Sequence, residues 1–281
     1  GRRGLAANKY GWREMSTVHP TSSSWSHFTN LKPLPELDGG RASVWADHAV
    51  ATRQNATTHF CDKGYWVWHI PLSDDTVSLG IVYDKRIRGD GWLSTEEKVL
   101  KFFKWDPVLG RVVEGSSWNG FWHLPHCPYT SKRYVVPGLA LVGDAAAFVD
   151  PLFSPGIELS CQQSMWVGPM IAKDLKTGVY DFKGWRKYEK MFSRALKERF
   201  LVYEGRYDVM GDYEAFSLRS QLDLTGYYAG IILPASIIPS WLKRPARFVG
   251  PIRVLYRAFS RRMVNLAQQR EKLGLTGLAN L

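Results

Sequence analysis

A segment of small, acidic and turn-forming residues, LALVGDAAAFVDPLFSPGIEL at residues 139–159, is the part of the sequence best suited to hold a ligand. Its apolar run ends at Gly143, where a backbone can approach a ligand closely, and Asp144 can accept a hydrogen bond from a hydroxyl group. Asp150 and Pro151 predict a turn, and the helix expected after it has a positive N-terminus that favours an anion or an electron-rich group. The same spacing also fits an ordinary strand–loop–helix connection in which Asp144 is a cap.

This segment resembles the second FAD-binding motif of flavin-dependent monooxygenases, and most closely that of the flavin-dependent halogenases and their halogenase-like relatives. The shared pattern is G-D-A-A-x-F-x-D-P-x-x-S-x-G-(I/V). In that family an acidic residue, which corresponds to Asp144 here, contacts the ribityl chain of FAD. The turn and the helix start that follow lie against the isoalloxazine ring. The alanines at 145–147 are expected to leave room for a flat ligand. The resemblance implies FAD as cofactor and these binding residues: Gly143, Asp144, Pro151, Ser154, Gly156 and Ile157.

A second pattern, W-x-W-x-I-P at residues 66–71, places two large indoles on one face of a predicted strand. Taken alone, it describes a strand with two core tryptophans. It also resembles a motif of the flavin-dependent halogenases, and it precedes the FAD motif as it does in that family. Excluding water would protect a reactive flavin from wasteful breakdown. The resemblance therefore implies a catalytic, flavin-shielding role for Trp66, Trp68, Ile70 and Pro71.

Three departures from the family pattern bear on activity. The opening G-x-G-x-x-G strand that holds the FAD pyrophosphate is absent, together with the region of the lysine that passes on the oxidised halogen. Gly1 and Arg2 resemble the end of a D-x-x-G-R element, so we expect a truncated chain that begins inside a domain. Family halogenases hold halide with N–H groups of the residues at Pro155 and Gly156, and proline has no N–H, which puts halogenation itself in doubt. The basic C-terminal tail has no counterpart in the family pattern.

The composition is that of a globular protein and excludes wholesale disorder, because 45% of the 281 residues are hydrophobic and 22% are charged. Cys61, Cys127 and Cys161 are far apart and odd in number, which argues against a disulfide framework and predicts an intracellular, reducing compartment. His123, His126 and Cys127 carry metal-binding atoms, but prolines flank them and no second ligand pair is near. We therefore expect no metal site.

The net charge of +11 is concentrated at the C-terminus, where residues 243–281 carry nine Lys or Arg and one acidic residue. Nucleic-acid binding would have to lie in this tail alone and is not expected. The tail fits either a solvated face over the core or contact with a protein assembly or an anionic membrane surface, which would make the protein peripheral to a membrane. The uncharged stretch at residues 225–242 is interrupted by Gly and Pro, so we do not expect a spanning helix.

The elements that must position these motifs predict an α+β fold class. We expect a β-sheet substrate-side domain at residues 1–137 with the W-x-W-x-I-P strand, and the remaining C-terminal part of a Rossmann-like FAD-binding domain at residues 138–180. A helical region with the basic tail follows at residues 181–281. The predicted strands cover residues 42–52, 65–71 and 76–83, with the last two forming a hairpin, and a short one covers residues 139–142.

The predicted helices cover residues 95–105, 156–175, 181–207 and 251–272. Ser94 is the expected N-cap of the first helix, and Pro169 implies a kink or break in the second. The apolar side of the last helix is expected to contain Ile252, Leu255, Phe259, Met263 and Leu266. Residues 1–40 and 118–137 have an irregular or loop-like pattern.

Three hypotheses of function stay open at the level of sequence, and whether this chain is itself an enzyme stays open with them. The first is an FAD-dependent oxidoreductase of the halogenase-like monooxygenase class that acts on a small organic molecule. The second is a non-catalytic, flavoprotein-like subunit of a larger, membrane-bound assembly. The third is a flavin-dependent reductase of an isoprenoid or lipid substrate.

Overall fold

The computed structural model describes residues 1–33, 55–73, 75–228 and 250–276, so the strand predicted at 42–52 lies outside the described residues. The strands are β1 (Arg13–Met15), β2 (Thr21–Thr29), β3 (Thr58–Asp62), β4 (Tyr65–Pro71), β5 (Val77–Asp84), β6 (Ser117–Leu124), β7 (Tyr129–Ser131), β8 (Val135–Val136) and β9 (Leu139–Ala140). The helices are α1 (Leu5–Lys9), α2 (Lys85–Arg88), α3 (Glu96–Trp105), α4 (Leu109–Val112), α5 (Pro155–Thr177), α6 (Phe182–Tyr203), α7 (Arg206–Val209), α8 (Tyr213–Tyr227) and α9 (Gly250–Lys272). This mixture confirms the predicted α+β class.

The chain forms two compact units. One consists of Thr21–His126, and the other joins Gly1–Pro20 to Cys127–Leu281. We refer to them as the sheet unit and the helical unit. The domain boundaries predicted at residues 137 and 180 stay predictions.

The sheet unit contains a five-stranded antiparallel sheet with the order β3-β4-β5-β2-β6. The predicted hairpin is confirmed, because β4 and β5 are antiparallel neighbours with Trp66 opposite Val82 and Trp68 opposite Gly80. One face of this sheet packs against α3 and α4 through buried side chains that include Phe28, Val67, Leu79, Ile81 and Phe103. Since side chains alternate along a strand, Trp66 and Trp68 lie on the opposite face.

Two segments predicted to be irregular instead form strands of this sheet. β2 lies between β5 and β6, although its serines gave residues 21–29 little apolar character. Serine hydroxyl groups of β2 donate hydrogen bonds to backbone carbonyl oxygens. Ser22 Oγ donates to Pro125 O over 2.7 Å, and Ser26 Oγ donates to Gly120 O over 2.5 Å. The prolines of the predicted loop at 118–137 fall outside the ladders, so β6 and β7 form beside them.

The N-cap of α3 differs by one residue from the prediction. The Thr95 hydroxyl accepts a hydrogen bond from the Lys98 N–H over 3.4 Å. Ser94 Oγ instead donates to Gly91 O over 2.9 Å. Thr95 has the extended backbone that an N-cap needs, with φ −123° and ψ 154°, so it takes that role.

The helical unit corrects two predicted helix boundaries. α5 continues through Pro169, so of the predicted kink or break the break is wrong, and the helix ends before Gly178 in the left-handed conformation. The helix predicted over residues 181–207 ends at Tyr203, because Gly205 takes φ +70° and redirects the chain into α7. The predicted strand before the FAD motif reduces to β9, which forms a two-stranded sheet with β8.

The basic helix α9 packs on α7 and α8 through a face that agrees with the predicted one except at Leu255. Leu255 is 69% exposed, whereas Tyr256 is buried. The Tyr256 hydroxyl lies against Asp223 and accepts a hydrogen bond from Arg219 over 3.0 Å, and these polar partners draw it inward. Phe259, Met263 and Leu266 are partly buried as predicted, while the Ile252 side chain lies outside the described residues. Two of the tail's arginines form ion pairs with carboxylates of the same unit, namely Arg257 with Glu204 and Arg270 with Asp212.

Candidate functional site

The loop at residues 143–157 begins at a glycine that the local geometry requires. Gly143 has φ +59°, and a Cβ there would lie 2.6 Å from Ser160 Oγ on α5. Its N–H donates to Gln163 Oε1 over 2.7 Å, and Gln163 Nε2 in turn donates to Tyr188 Oη over 3.2 Å. Burial raises the pKa of Tyr188 to about 12, so its hydroxyl stays neutral. The first end of the loop is therefore fixed by α5 and α6.

Asp144 follows directly and presents a carboxylate that accepts no hydrogen bond from the described residues. The side chain is partly buried, and its Oδ1 lies 4.0 Å from the place that a Cβ on Gly156 would take. Its backbone carbonyl accepts a hydrogen bond from the Tyr129 hydroxyl, which fixes the main chain at this point. A held backbone with an unpaired carboxylate is suited to accept a hydrogen bond from a ligand hydroxyl.

The start of α5 presents backbone N–H groups without a side-chain cap. Ser154 takes a left-handed conformation with φ 49°, Pro155 is the first helical residue, and no side chain caps the terminus. Ile157 is 81% exposed. The N–H groups of Gly156 and Ile157 have no acceptor within the helix, so the positive end of the macrodipole is available to an anion or an electron-rich ring edge. The structure thus brings together the predicted residues at both ends of the loop.

Between these ends, two of the three alanines do not leave room for a ligand. Ala146 and Ala147 are buried, and Ser131 Oγ donates to Ala146 O over 2.7 Å. Phe148 also pairs with Tyr129 through two backbone hydrogen bonds of 2.9 Å. These two small side chains serve close packing against β7, which corrects the prediction for Ala146 and Ala147, while Ala145 is partly buried.

The Asp150–Pro151 turn is held by partners that no local pattern indicates. Asp150 Oδ1 accepts from the Leu152 N–H over 3.0 Å, which caps the turn at Pro151–Phe153. Its Oδ2 lies 2.8 Å from His19 Nε2 and accepts from Tyr207 Oη over 3.0 Å. His19 is 131 residues away in the chain, so no local sequence signal indicates this contact.

In the sheet unit, Trp66 and Trp68 lie side by side on one face of β4, with ring centroids 5.8 Å apart. Trp66 is buried, whereas Trp68 is partly buried and donates from Nε1 to Ser78 Oγ over 3.0 Å. Ile70 and Pro71 continue the strand and are partly buried. The predicted common face is confirmed, and the flavin-shielding role of these four residues stays a prediction.

The two tryptophans belong to a row of indoles across that sheet face, which we call the aromatic face and define as Trp25, Trp66, Trp68 and Trp122. Ring centroids are 6.4 Å apart for Trp25 and Trp68 and 6.1 Å for Trp25 and Trp122. Gly80 lies beneath, because a Cβ there would be 2.2 Å from Trp68 Cζ2 and 2.4 Å from Trp25 Cβ. The glycine therefore allows both indoles to lie close to the strand.

Of the three residues with metal-binding atoms named from the sequence, His123 has a hydrogen-bond partner in the sheet unit. His123 Nδ1 lies 2.8 Å from Ser24 Oγ, and burial lowers the His123 pKa. Within residues 1–33, 55–73, 75–228 and 250–276 no group of three or more His, Cys, Asp or Glu is arranged to hold a metal ion. None of the helices described is long and apolar enough to cross a membrane.

The loop and its uncapped helix define a candidate flavin site, and comparison with known proteins assigns its class. A profile of the tryptophan halogenase family matches residues 36–195, which is more than half of the chain. The chain belongs to the tryptophan halogenase family. This confirms the resemblance inferred from the motifs, and FAD is the cofactor of the flavin-dependent halogenases.

Curated proteins similar to this chain are named as halogenating enzymes. The flavin-dependent halogenase armH4 of Armillaria mellea is 27% identical over 226 residues, covering 74% of this chain and 40% of that protein. The 1H-pyrrole-2-carbonyl-(peptidyl-carrier protein) brominase of Pseudoalteromonas luteoviolacea (strain 2ta16) is 25% identical over 214 residues, covering 72% and 47%. The chain thus spans less than half the length of these curated relatives.

A solved structure shows the same fold. Halogenase PltM in complex with phloroglucinol and FAD superposes with a TM-score of 0.76 at 17% identity, covering 95% of this chain and 57% of that one. At this identity the likeness establishes the fold alone.

The family finding corrects the doubt about halogenation that Pro155 raised. Only one N–H is lost at this position, and the uncapped N–H groups of Gly156 and Ile157 remain at the same helix start. Neither alternative hypothesis, the non-catalytic assembly subunit or the isoprenoid reductase, gains support from the comparisons. The same holds for a protein assembly or membrane surface as partner of the tail.

Proposed function

We propose that this chain carries the flavin-ring side of an FAD-dependent halogenase that acts on a small organic substrate. The single observation that carries the proposal is the Asp144 carboxylate, which accepts no hydrogen bond from the described residues, beside the uncapped start of α5. A ribityl hydroxyl can donate to the former, and an electron-rich ring edge can accept from the latter. The family membership supports the same assignment.

The residues of this chain would bind and orient the cofactor. When bound, FAD in its reduced form would supply the two electrons needed for O₂ and halide to give a halogenating agent. Asp144 accepts a hydrogen bond, Gly143 admits a close approach of the chain, and the α5 N–H groups favour negative charge at the ring. Pro151, Ser154, Gly156 and Ile157 set the path of the turn and helix. We assign water exclusion to Trp66, Trp68, Ile70 and Pro71 on the family motif.

The substrate class follows from the relatives. One relative is named for a pyrrole carried on a peptidyl-carrier protein, and a fold neighbour was solved with phloroglucinol. Both are electron-rich aromatic rings. We therefore propose a small aromatic ring of this kind, free or carrier-bound, as the acceptor of halogen.

The test is FAD affinity in the complete gene product that contains this chain. Asp144→Ala removes the hydrogen-bond acceptor, and we expect the Kd for FAD to rise about tenfold. Flavin fluorescence quenching measures this affinity. Glu97→Gln is the matched control, because Glu97 is an exposed carboxylate on α3 outside the candidate site. Equal FAD affinity in Asp144→Ala and Glu97→Gln would contradict the assignment.

A further inference from the structure

Asp150 is the residue with the most side-chain partners in the loop at residues 143–157. Its carboxylate and carbonyl together accept hydrogen bonds from the Leu152 N–H, Tyr207 Oη over 3.0 Å and Tyr203 Oη over 3.2 Å, and His19 Nε2 lies 2.8 Å from Oδ2. We call His19, Tyr203 and Tyr207 with Asp150 the turn anchor. All four side chains are at most 3% exposed. His19 also stacks on Tyr203, with ring centroids 5.5 Å apart.

The anchor joins the turn at Asp150 to two distant parts of the helical unit, the segment before β2 and the corner between α6 and α7. His19 comes from the segment before β2, Tyr203 ends α6, and Tyr207 lies in α7. A carboxylate accepts hydrogen bonds, so His19 donates to Asp150 in the tautomer that places the proton on Nε2. The other ring nitrogen, Nδ1, is buried and has no hydrogen-bond partner among the described residues. A buried nitrogen without a partner costs free energy, so an apolar side chain would stabilise the interior more simply than His19 does.

What the anchor controls is the geometry of the turn that leads into α5. Asp150 Oδ1 caps the Pro151–Phe153 turn, Ser154 then takes its left-handed conformation, and α5 begins at the next residue. A carboxylate held only at Oδ1 would be free to rotate about its side-chain bonds. Contacts of Oδ2 with His19 and Tyr207 remove that freedom, and Tyr203 fixes the carbonyl. The direction of the first N–H groups of α5 depends on these contacts.

We propose that His19 and Tyr207 are positioning residues for the flavin ring, which act through Asp150 and the turn into α5. This inference rests on the proposed function, because it supposes that FAD lies against the loop. Neither side chain is assigned a contact with the cofactor. Their role is to hold the α5 N–H groups in the direction that the ring requires, and such preorganisation matters because a displacement of about 1 Å is enough to weaken catalysis.

The experiment compares FAD binding and the visible spectrum of bound FAD in the complete gene product. Tyr207→Phe removes one hydroxyl, and His19→Phe removes both ring nitrogens while keeping an aromatic ring on Tyr203. We expect each to raise the Kd for FAD about five- to tenfold and to shift the visible absorption and circular dichroism bands of the bound flavin. His19→Gln places an amide donor near the position of Nε2, and we expect it to restore both properties to within about twofold of the unsubstituted protein.

Tyr65→Phe is the matched control. Tyr65 is also a buried tyrosine whose hydroxyl donates to a carboxylate, Asp62 Oδ2, over 3.3 Å, but it belongs to the sheet unit and faces away from Trp66 and Trp68. Loss of the Tyr65 hydroxyl group tests whether general destabilisation alone changes flavin binding. We expect a lower melting temperature with unchanged flavin bands.

The outcomes separate this inference from the function on which it rests. If Asp144→Ala weakens FAD binding but Tyr207→Phe and His19→Phe leave Kd and the flavin bands as Tyr65→Phe does, the positioning role is wrong and the proposed function stands. If the unsubstituted protein binds no FAD, both are wrong. Failure of His19→Gln to restore the flavin bands also counts against the role. Should His19→Phe not fold, Tyr207→Phe decides, because it removes a single oxygen atom.

Discussion

The aromatic face and the loop at residues 143–157 hold their side chains by different means. Trp66 and Trp68 are placed by strand alternation and by the space above Gly80, so packing volume sets their position. In the loop, the Gly143 N–H donates to the side chain of Gln163, and the Asp150 carboxylate accepts from the Tyr207 hydroxyl, 57 residues along the chain. The difference teaches that the first region should respond to changes in volume, whereas the second should respond to the loss of single polar atoms.

The largest expected effect comes from adding volume under the aromatic face. Gly80→Val places a branched side chain where the Trp68 ring and the Trp25 Cβ already lie, at 2.2 and 2.4 Å from an added Cβ. Both indoles would have to move, and we expect a loss of about 3 kcal/mol in the free energy of unfolding. Denaturant unfolding followed by tryptophan fluorescence measures this loss and reports the displaced rings.

Gly168→Ala is the control for that substitution. Gly168 lies inside α5 with open space around it, and a Cβ there meets no atom within 4 Å. Alanine should raise the stability by about 0.5–1 kcal/mol through helix propensity. A similar small effect for Gly80→Val would show that the indoles do not depend on the empty space above that strand.

The next effect tests the loop through a polar atom. Gln163→Leu keeps a buried side chain of similar size but removes the oxygen that accepts from the Gly143 N–H over 2.7 Å. The buried N–H would lose its partner, and we expect a loss of about 2 kcal/mol in the free energy of unfolding. Tyr188→Phe removes only the outer partner of the Gln163 amide, at 3.2 Å, so it should cost about 1 kcal/mol or less. Equal costs would mean that volume, rather than the hydrogen bond to Gly143, controls the loop.

The same contrast explains which features the sequence could predict. Alternation in β4 and β5 is a local property, so the hairpin and the common face of Trp66 and Trp68 follow from spacing alone. The motif residues Asp144 and Gly156 were chosen from a family pattern, and their contact with FAD stays a prediction. The partners of Asp150 could not, since His19 lies 131 residues away and only the folded chain brings it to the turn.

Two other misses have the same physical origin. β2 reads as polar because of its serines, and only the tertiary fold shows the carbonyl oxygens to which Ser22 and Ser26 donate. In α9, a rule that places apolar residues inside favours Leu255, yet Tyr256 is the buried residue because Arg219 and Asp223 meet its hydroxyl. Polar side chains become core residues when distant partners satisfy them, and no local pattern contains those partners.

The smallest expected effect is a pH dependence that belongs to the sheet unit. His69 lies in β4 on the face opposite Trp66 and Trp68, it is buried, and burial lowers its pKa. In the unfolded chain its pKa is the ordinary value of about 6.5. Between these two values the unfolded state binds a proton that the folded state does not, so the free energy of unfolding falls as the pH drops below about 6.5.

His69→Gln removes this titration while keeping a polar side chain of similar size. We expect its free energy of unfolding to depend less on pH than that of the unsubstituted protein between about pH 6.5 and 5, while the difference between the two proteins is constant from about pH 7 to 8. Denaturant unfolding at a series of pH values measures both slopes. Parallel slopes would show that His69 takes up its proton equally in the folded state, and the loss of stability in acid would then arise from other groups, such as His59 in β3 and His123, whose pKa values burial also lowers.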